Sequence, residues 1–333
     1  MVVERRGGDM SRKSVVVKVK GYRSPVSRCG IEEGRINFKL SFEGIVDESS
    51  YLFTGSLVGK LPSYSEILKK VDEKMDLFAS NIDAFINEIN RIFSMYQGRM
   101  NTTQYSVRDT PAIPGSAIKG SVRSNLEYRF KPFQVGPNYY SYSCYISQGK
   151  YVNKKFAAKH LAFWGEEVSF ERKACEANQV CILCDMFGNP RLASRTYFSD
   201  AVLVEGDLIS IPELNVKAVA SGSRFKFTVT ALNYNYSELG LLLFGFNILG
   251  NSEAIEPLIM GKFKYRYNPR VGGQIKGKYF GLMKFKLIDA VSCNFQEVIK
   301  EDVSKLVAKA KLEMEKEDFA RYLDRRAKIG RLQ

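Results

Sequence analysis

The sequence predicts an α+β fold, a sandwich of sheet and packed helices, and three observations carry that expectation. Three stretches alternate strictly between apolar and polar residues, as half-buried strands do. Several segments repeat apolar residues at helical spacing. Strands and helices also succeed one another along the chain, with strand returns.

The first alternating stretch holds Ile36, Phe38, Leu40 and Phe42, the second Phe225, Phe227 and Val229, and the third Met283, Phe285 and Leu287. Arg35, Lys39, Arg224, Lys226, Lys284 and Lys286 fall at or beside the alternate positions, so the sheet is expected to be apolar toward helices and cationic toward solvent. Pro62 and a Ser63…Glu66 capping box start a long helical region reaching Tyr96, with an apolar stripe that includes Met75, Phe78, Ile82 and Ile86 and a break near Ser80 and Asn81. A further helix is expected from Leu239 to about Leu249, and a charged one from Asn294 to Ile329 with Phe295, Val298, Ile299, Val303, Leu306 and Val307 on its apolar side. From Phe133 to Gln179 periodicity fades into Tyr, Gly and Lys, which marks an insertion standing off the core.

Composition narrows the class. The chain has 333 residues, 45% of them hydrophobic, with 22 Phe, 18 Tyr and one Trp, enough for a large core or two modest domains. Against 36 Asp and Glu stand 50 Lys and Arg, a net charge of +14 that suits a nucleic acid or other polyanion better than a neutral metabolite. No run of about 18 apolar residues suggests a membrane span, and the first residues lack a signal-peptide core, so a cytoplasmic protein without a membrane partner is expected. Six cysteines in such a chain read as metal ligands or core residues rather than as a disulfide framework.

Three segments carry chemistry. Ile113 to Arg123 reads IPGSAIKGSVR. Pro114 and Gly115 make a turn, Ser116 is placed to cap the helix that follows, and Ile118, Val122, Leu126 and Phe130 give that helix a buried face. Lys119 and Arg123, at i and i+4 near the helix N-terminus, suit a phosphate backbone, and Gly120 permits a close approach; the competing reading is a capped surface helix with solvated cations. His160, Cys175, Cys181 and Cys184 form H-x14-C-x5-C-x2-C, the four donors of a structural zinc site without an open coordination position. Buried or redox cysteines beside a satisfied histidine are the alternative, and Cys29, Cys144 and Cys293 read as core or incidental. Val271 to Leu282, VGGQIKGKYFGL, places Gly272, Gly273, Lys276, Lys278 and Tyr279 before a strand, where amides, ammonium groups and a ring can meet phosphate and base, unless the segment is a plain turn.

Taken together, IPGSAIKGSVR, CILCDMFGNPRLASRTYFSDA at Cys181 to Ala201, ASGSRFKFTV at Ala220 to Val229 and the GGQIKGKYFG loop resemble the RAMP superfamily of CRISPR-associated proteins, over about Ile113 to Ile288. The resemblance points to the backbone-type subunits of type III effector complexes and implies a modified ferredoxin-like (RRM-like) core with a zinc-binding insertion and added helices. With the periodicity above, the expected organisation is a basic N-terminal arm at 1–30, the core at 31–132 and 186–292, a zinc-binding lid at 133–185, and two departures from a minimal backbone subunit, the helical segment 63–97 and a charged C-terminal helix at 293–333. The implied partners are CRISPR RNA, target RNA and other type III subunits. Gly115, Ser116, Lys119 and Arg123 would hold the guide backbone, with Gly272, Gly273, Lys276 and Lys278 beside it. Phe187, Ser194, Arg195 and Asp200 match a recurring FG…SR…D pattern and are expected to anchor the insertion by packing and turn chemistry.

Cleaving relatives carry an aspartate a few residues before the V-R-D that precedes the IPGS turn. Here that loop reads NTTQYSVRD, the aligned position falls near Thr103, and none of Asn101 to Ser106 is acidic. A threonine is no general base near neutral pH, so no catalytic residue is assigned and an RNA-binding subunit without cleavage is expected. The alternatives are a target-RNA endoribonuclease using Asp47 or Asp109, and a guide-processing ribonuclease, which the single histidine disfavours.

Overall fold

The structure, a computed structural model, describes residues 17–55, 69, 71–98, 104–144, 175–176, 178–211, 216–263, 267–268, 278–294 and 297–325. β1 (Val17–Val19) is followed by β2 (Ile36–Val46), which buries Phe38, Leu40, Phe42 and Val46 on one face, and by the short β3 (Ser50–Tyr51). The expected long helix is two helices, α1 (Met75–Ser80) and α2 (Ile82–Gly98). They part at Asn81, whose backbone is extended and whose Oδ1 accepts from the Ala84 N–H at 3.0 Å, so an asparagine cap makes the break. Their apolar stripe stays in solvent, with Met75, Phe78, Ile82 and Ile86 each about half exposed. The capping box at Ser63 lies outside the described residues.

β4 (Ser106–Val107) and β5 (Thr110–Ile113) form a hairpin across Arg108 and Asp109, whose φ values of 47° and 65° suit a two-residue turn of the primed kind. α3 (Gly115–Arg129) then buries Ile118, Val122 and Leu126 as predicted. β6 (Phe133–Val135) and β7 (Asn138–Ser141) make a second hairpin, with β1 added in parallel to β7. This corrects two expectations. Residues 17–30 are built into the body rather than forming an arm, and 133–144 pack on it rather than standing off. The cause is aromatic: Phe133 stacks on Tyr322 with centroids 3.8 Å apart, and Lys20 Nζ lies 5.5 Å from the Phe133 ring.

Beyond residue 175 come α4 (Ile182–Phe187), β8 (Thr196–Phe198), β9 (Ala201–Glu205), the hairpin of β10 (Leu208–Ile211) and β11 (Val216–Val219), and β12 (Arg224–Tyr234). α5 (Tyr236–Gly245), buried at every residue after Tyr236, starts three residues before the predicted Leu239, because Asn235 Oδ1 accepts the Glu238 N–H at 2.8 Å. β13 (Leu258–Ile259), β14 (Tyr267–Asn268), β15 (Lys278–Phe280) and β16 (Leu282–Cys293) complete the sheet strands before the C-terminal region. There the predicted single helix is divided. Val298 and Ile299 belong to β17 (Val298–Lys300), an exposed edge strand on β16, and only α6 (Val303–Lys316) is helical, burying Leu306, Val307, Ala310 and Met314 before a 3-10 turn at Asp318–Tyr322.

The three alternating stretches become the centre of a nine-stranded sheet among the described residues. Its central order is β16-β2-β12-β9, each neighbouring pair antiparallel. α3 connects β2 to β9 and α5 connects β12 to β16, the β-α-β-β-α-β order of a ferredoxin-like core with added helices. Helices cover one face, where Phe42 stacks with Phe246 at 4.5 Å and Phe227 at 5.3 Å. The other face carries Lys39, Lys226 and Lys284 in solvent, as predicted, although carboxylates are interleaved: Lys284 pairs with Asp47 at 3.2 Å and Lys286 with Glu253 at 2.6 Å. A smaller core of Tyr51, Phe53, Ile211, Val216, Ala218 and Phe280 lies beside the main one.

Candidate metal centre and nucleic-acid interface

Four buried cysteines converge. The sulfurs of Cys144, Cys175, Cys181 and Cys184 all lie within 4.8 Å of one another. Cys144 follows β7, and Cys181 is the N-cap of α4, its sulfur accepting the Cys184 N–H at 3.4 Å, so the start of a helix turns the C-x2-C pair into one knuckle. Two further amides point at sulfur, Cys181 N–H to Cys175 at 3.1 Å and Cys144 N–H to Cys181 at 3.4 Å, and such bonds stabilise thiolates. Hydrogen bonding to Cys175 and Cys181, with burial, pushes the Cys144 thiol up. Cys181 is held well below its ordinary value, since hydrogen bonds from the other three sulfurs outweigh its burial. Four soft donors at this spacing fit a tetrahedral metal ion of the zinc type. Cys175, Cys181 and Cys184 come together, and the fourth sulfur beside them among the described residues is that of Cys144, which the sequence reads as core or incidental; His160 lies outside the described residues. The usable signal was position, because Cys144 and Cys175 flank the segment 145–174.

The predicted phosphate helix is arranged differently from the expectation. Pro114 is the N-cap of α3, no side chain of the cap residue bonds to the helix, and Ser116 faces solvent. The Gly115 N–H is instead accepted by Asp200 Oδ1 at 2.8 Å, while Tyr105 donates its hydroxyl to Asp200 Oδ2 at 2.7 Å. The chain therefore supplies its own anion at this helix terminus. Gly115 is needed for contact, since a Cβ there would sit 2.3 Å from the Phe198 carbonyl oxygen. Arg123 is also turned inward: its side chain is only 13% exposed, Nε donates to Glu127 Oε1 at 2.8 Å, Nη1 to the Gly188 carbonyl, and Nη2 to Cys184 Sγ at 3.3 Å. Lys119 remains half-buried with no acceptor among the described residues, and burial together with the Arg123 charge lowers its pKa. A Cβ at the exposed Gly120 would meet open space.

Gly272, Gly273 and Lys276 lie outside the described residues, and Lys278 opens β15, which pairs with β14 to form the arms of a hairpin. β15 runs parallel to β3, with Tyr279 opposite Ser50. Four residues beyond Ser50, Thr54 Oγ1 donates to the Ala112 carbonyl at 3.1 Å, and Gln104 closes the corner with bonds to Thr54 Oγ1 at 2.6 Å and Ala112 O at 2.8 Å. One stretch, Ser50 to Thr54, thus joins β15 to the strand that feeds α3. Gln104 is the described residue next to the Thr103 position, which itself falls outside them.

An ionic cluster holds the cysteine knuckle, and Arg195, expected to act there by packing and turn chemistry, is at its centre as a buried cation. Arg195, wholly buried, reaches Asp185 Oδ2 at 2.8 Å and Glu238 Oε1 at 3.0 Å; Arg23 and Arg28 also bind Asp185, and Arg35 binds Glu238 at 2.8 Å. Burial opposes ionisation of Glu238, but Arg195 and Arg23 hold its carboxyl down at about 2. Of the two acids weighed for cleavage, Asp109 is exposed at its hairpin tip. Asp47 is partly buried, yet hydrogen bonds from Ser49 and Lys284 keep its pKa below the ordinary value, which makes it a weaker base.

The chain thus combines a mixed α/β fold, consistent with a modified ferredoxin-like core, with a four-cysteine cluster able to hold a metal ion. The sequence matches the RAMP superfamily over residues 52–321, and the chain belongs to that family. No curated protein matches it. Among solved structures it is similar to a chain described as "Crystal structure of Csm3-Csm4 subcomplex in the type III-A CRISPR-Cas interference complex", with 15% identity, 86% of this chain and 98% of that chain covered, and a TM-score of 0.34.

Proposed function

We propose that this chain is a CRISPR RNA-binding subunit of a type III CRISPR interference complex, which holds the guide backbone and neighbouring subunits and does not cleave RNA. Family membership and the +14 charge support this reading. The observation that supports it most is the Ser50 to Thr54 stretch, which links β15, opened by Lys278, to the strand that leads into α3, where Ser116 is exposed and Lys119 has no acceptor among the described residues. A phosphate backbone crossing there would satisfy Lys119 and follow amides and lysines from one element to the next. Because Asp200 already occupies the helix terminus and Arg123 faces inward, the contacts assigned to α3 reduce to Lys119 with Ser116 and the bare surface at Gly120. Zinc, held by Cys144, Cys175, Cys181 and Cys184, has a structural role in this reading, since four protein sulfurs fill a tetrahedron.

Sequencing of RNA that copurifies with the full chain tests the proposal, together with filter binding of guide RNA across a salt series. Spacer-containing RNA and a log–log slope equivalent to several phosphate contacts are expected. Absence of RNA together with salt-independent binding overturns the reading, and cleavage of a guide-matched target that is lost in Asp109→Ala would favour the nuclease.

A further inference from the structure

We infer that Arg123 is a positioning residue of the metal centre, binding it to α3, and not an RNA contact. This rests on the reading of the four cysteines as metal ligands. A divalent ion with four thiolates carries a net charge of −2, which is costly in a site whose four ligands are all buried. The amide bonds to sulfur offset part of that charge. The cation in contact with the cluster is Arg123, whose Nη2 donates to Cys184 Sγ at 3.3 Å while its Nε pairs with Glu127.

The rest of the guanidinium is fixed as a second-sphere group requires. Glu127, one turn further along α3, fixes Nε, and the Gly188 carbonyl, just past the last residue of α4, fixes Nη1. Three acceptors on two elements determine the fork, which only a planar guanidinium can satisfy at once. α3 is thereby held at two points, by Asp200 on Gly115 N–H and by the metal knuckle through Arg123. Lys119 sits between them. Metal occupancy then sets how firmly the helix that presents Lys119 is held.

Cobalt substitution of the full-length chain tests this. Wild type, Arg123→Gln and Arg123→Lys would be loaded with Co(II), their thiolate-to-cobalt charge-transfer and ligand-field bands recorded, and metal loss to a chelator timed. Arg123→Gln is expected to shift the charge-transfer band and to weaken metal binding about 10- to 100-fold, the usual effect of losing an outer-sphere partner. Arg123→Lys, which keeps the charge and loses the fork, is expected to recover part of both. Variants with wild-type bands and wild-type chelator kinetics overturn the inference. A wild type that takes up no Co(II) fails earlier, at the metal reading, and that outcome is separate from RNA binding. If Arg123→Gln does not fold, the lysine variant decides by the same two readouts.

Discussion

Gly115 shows how a residue chosen for packing can look like one chosen for a ligand. Its Cα lies against the chain between β8 and β9, and a methyl group would have to sit 2.3 Å from the Phe198 carbonyl oxygen. Gly115→Ala is therefore expected to destabilise the fold by about 3 kcal/mol, measured by urea denaturation, with RNA affinity falling only as the folded fraction falls. The metal ligands give a sharper contrast. Cys144→Ser removes a sulfur from the cluster and is expected to reduce bound zinc from one equivalent to a small fraction by metal analysis, whereas His160→Ala is expected to retain it. The opposite pattern would restore the ligand set that the C-x2-C spacing alone suggested.

Among the elements, α6 follows most directly from local chemistry. Asp302 precedes it and accepts the Lys305 N–H at 3.0 Å, while Leu306, Val307, Ala310 and Met314 recur on its buried side. Asp302→Ala is expected to cost about 1 kcal/mol in thermal or urea unfolding, the ordinary value of an N-cap. The same helix shows the limit of periodicity: Val298 and Ile299 extend its apolar spacing backward, yet they pair with Ser292 and Cys293 as a strand. α1 and α2 teach a related point. Their stripe has helical period and their break falls where expected, but Met75, Phe78, Ile82 and Ile86 face solvent, because amphipathicity specifies a face and not the partner that covers it.

For the whole molecule, the network of Arg23, Arg28, Arg35 and Arg195 around Asp185 and Glu238 joins the N-terminal segment, the metal knuckle and the helix after β12. Glu238 is held down at about 2, below the value near 4.3 of an unfolded glutamate. The sign follows: its contribution, on the order of 3 kcal/mol, is complete above the unfolded value and is lost as pH falls through the folded one. Wild type is thus expected to lose urea resistance between about pH 4.5 and 2. Glu238→Gln is expected to be less stable at pH 7 by roughly 3 kcal/mol, since it leaves buried guanidinium groups uncompensated, and to lose less on acidification.

Periodicity by itself determined the sheet centre, the buried face of α3 and the break at Asn81, because each follows from residues a few positions apart. The cysteine spacing determined three of the four sulfurs for the same reason. Only the tertiary structure decided what lies at long separation: that Cys144 completes the cluster, that Asp200 occupies the N-terminus of α3, that Arg123 turns to Cys184, and that residues 17–30 insert into the body. Charge and spacing establish that a group is available to bind. Which partner it binds depends on which distant atoms the fold brings within hydrogen-bonding distance, and burial makes leaving such groups unpaired too costly.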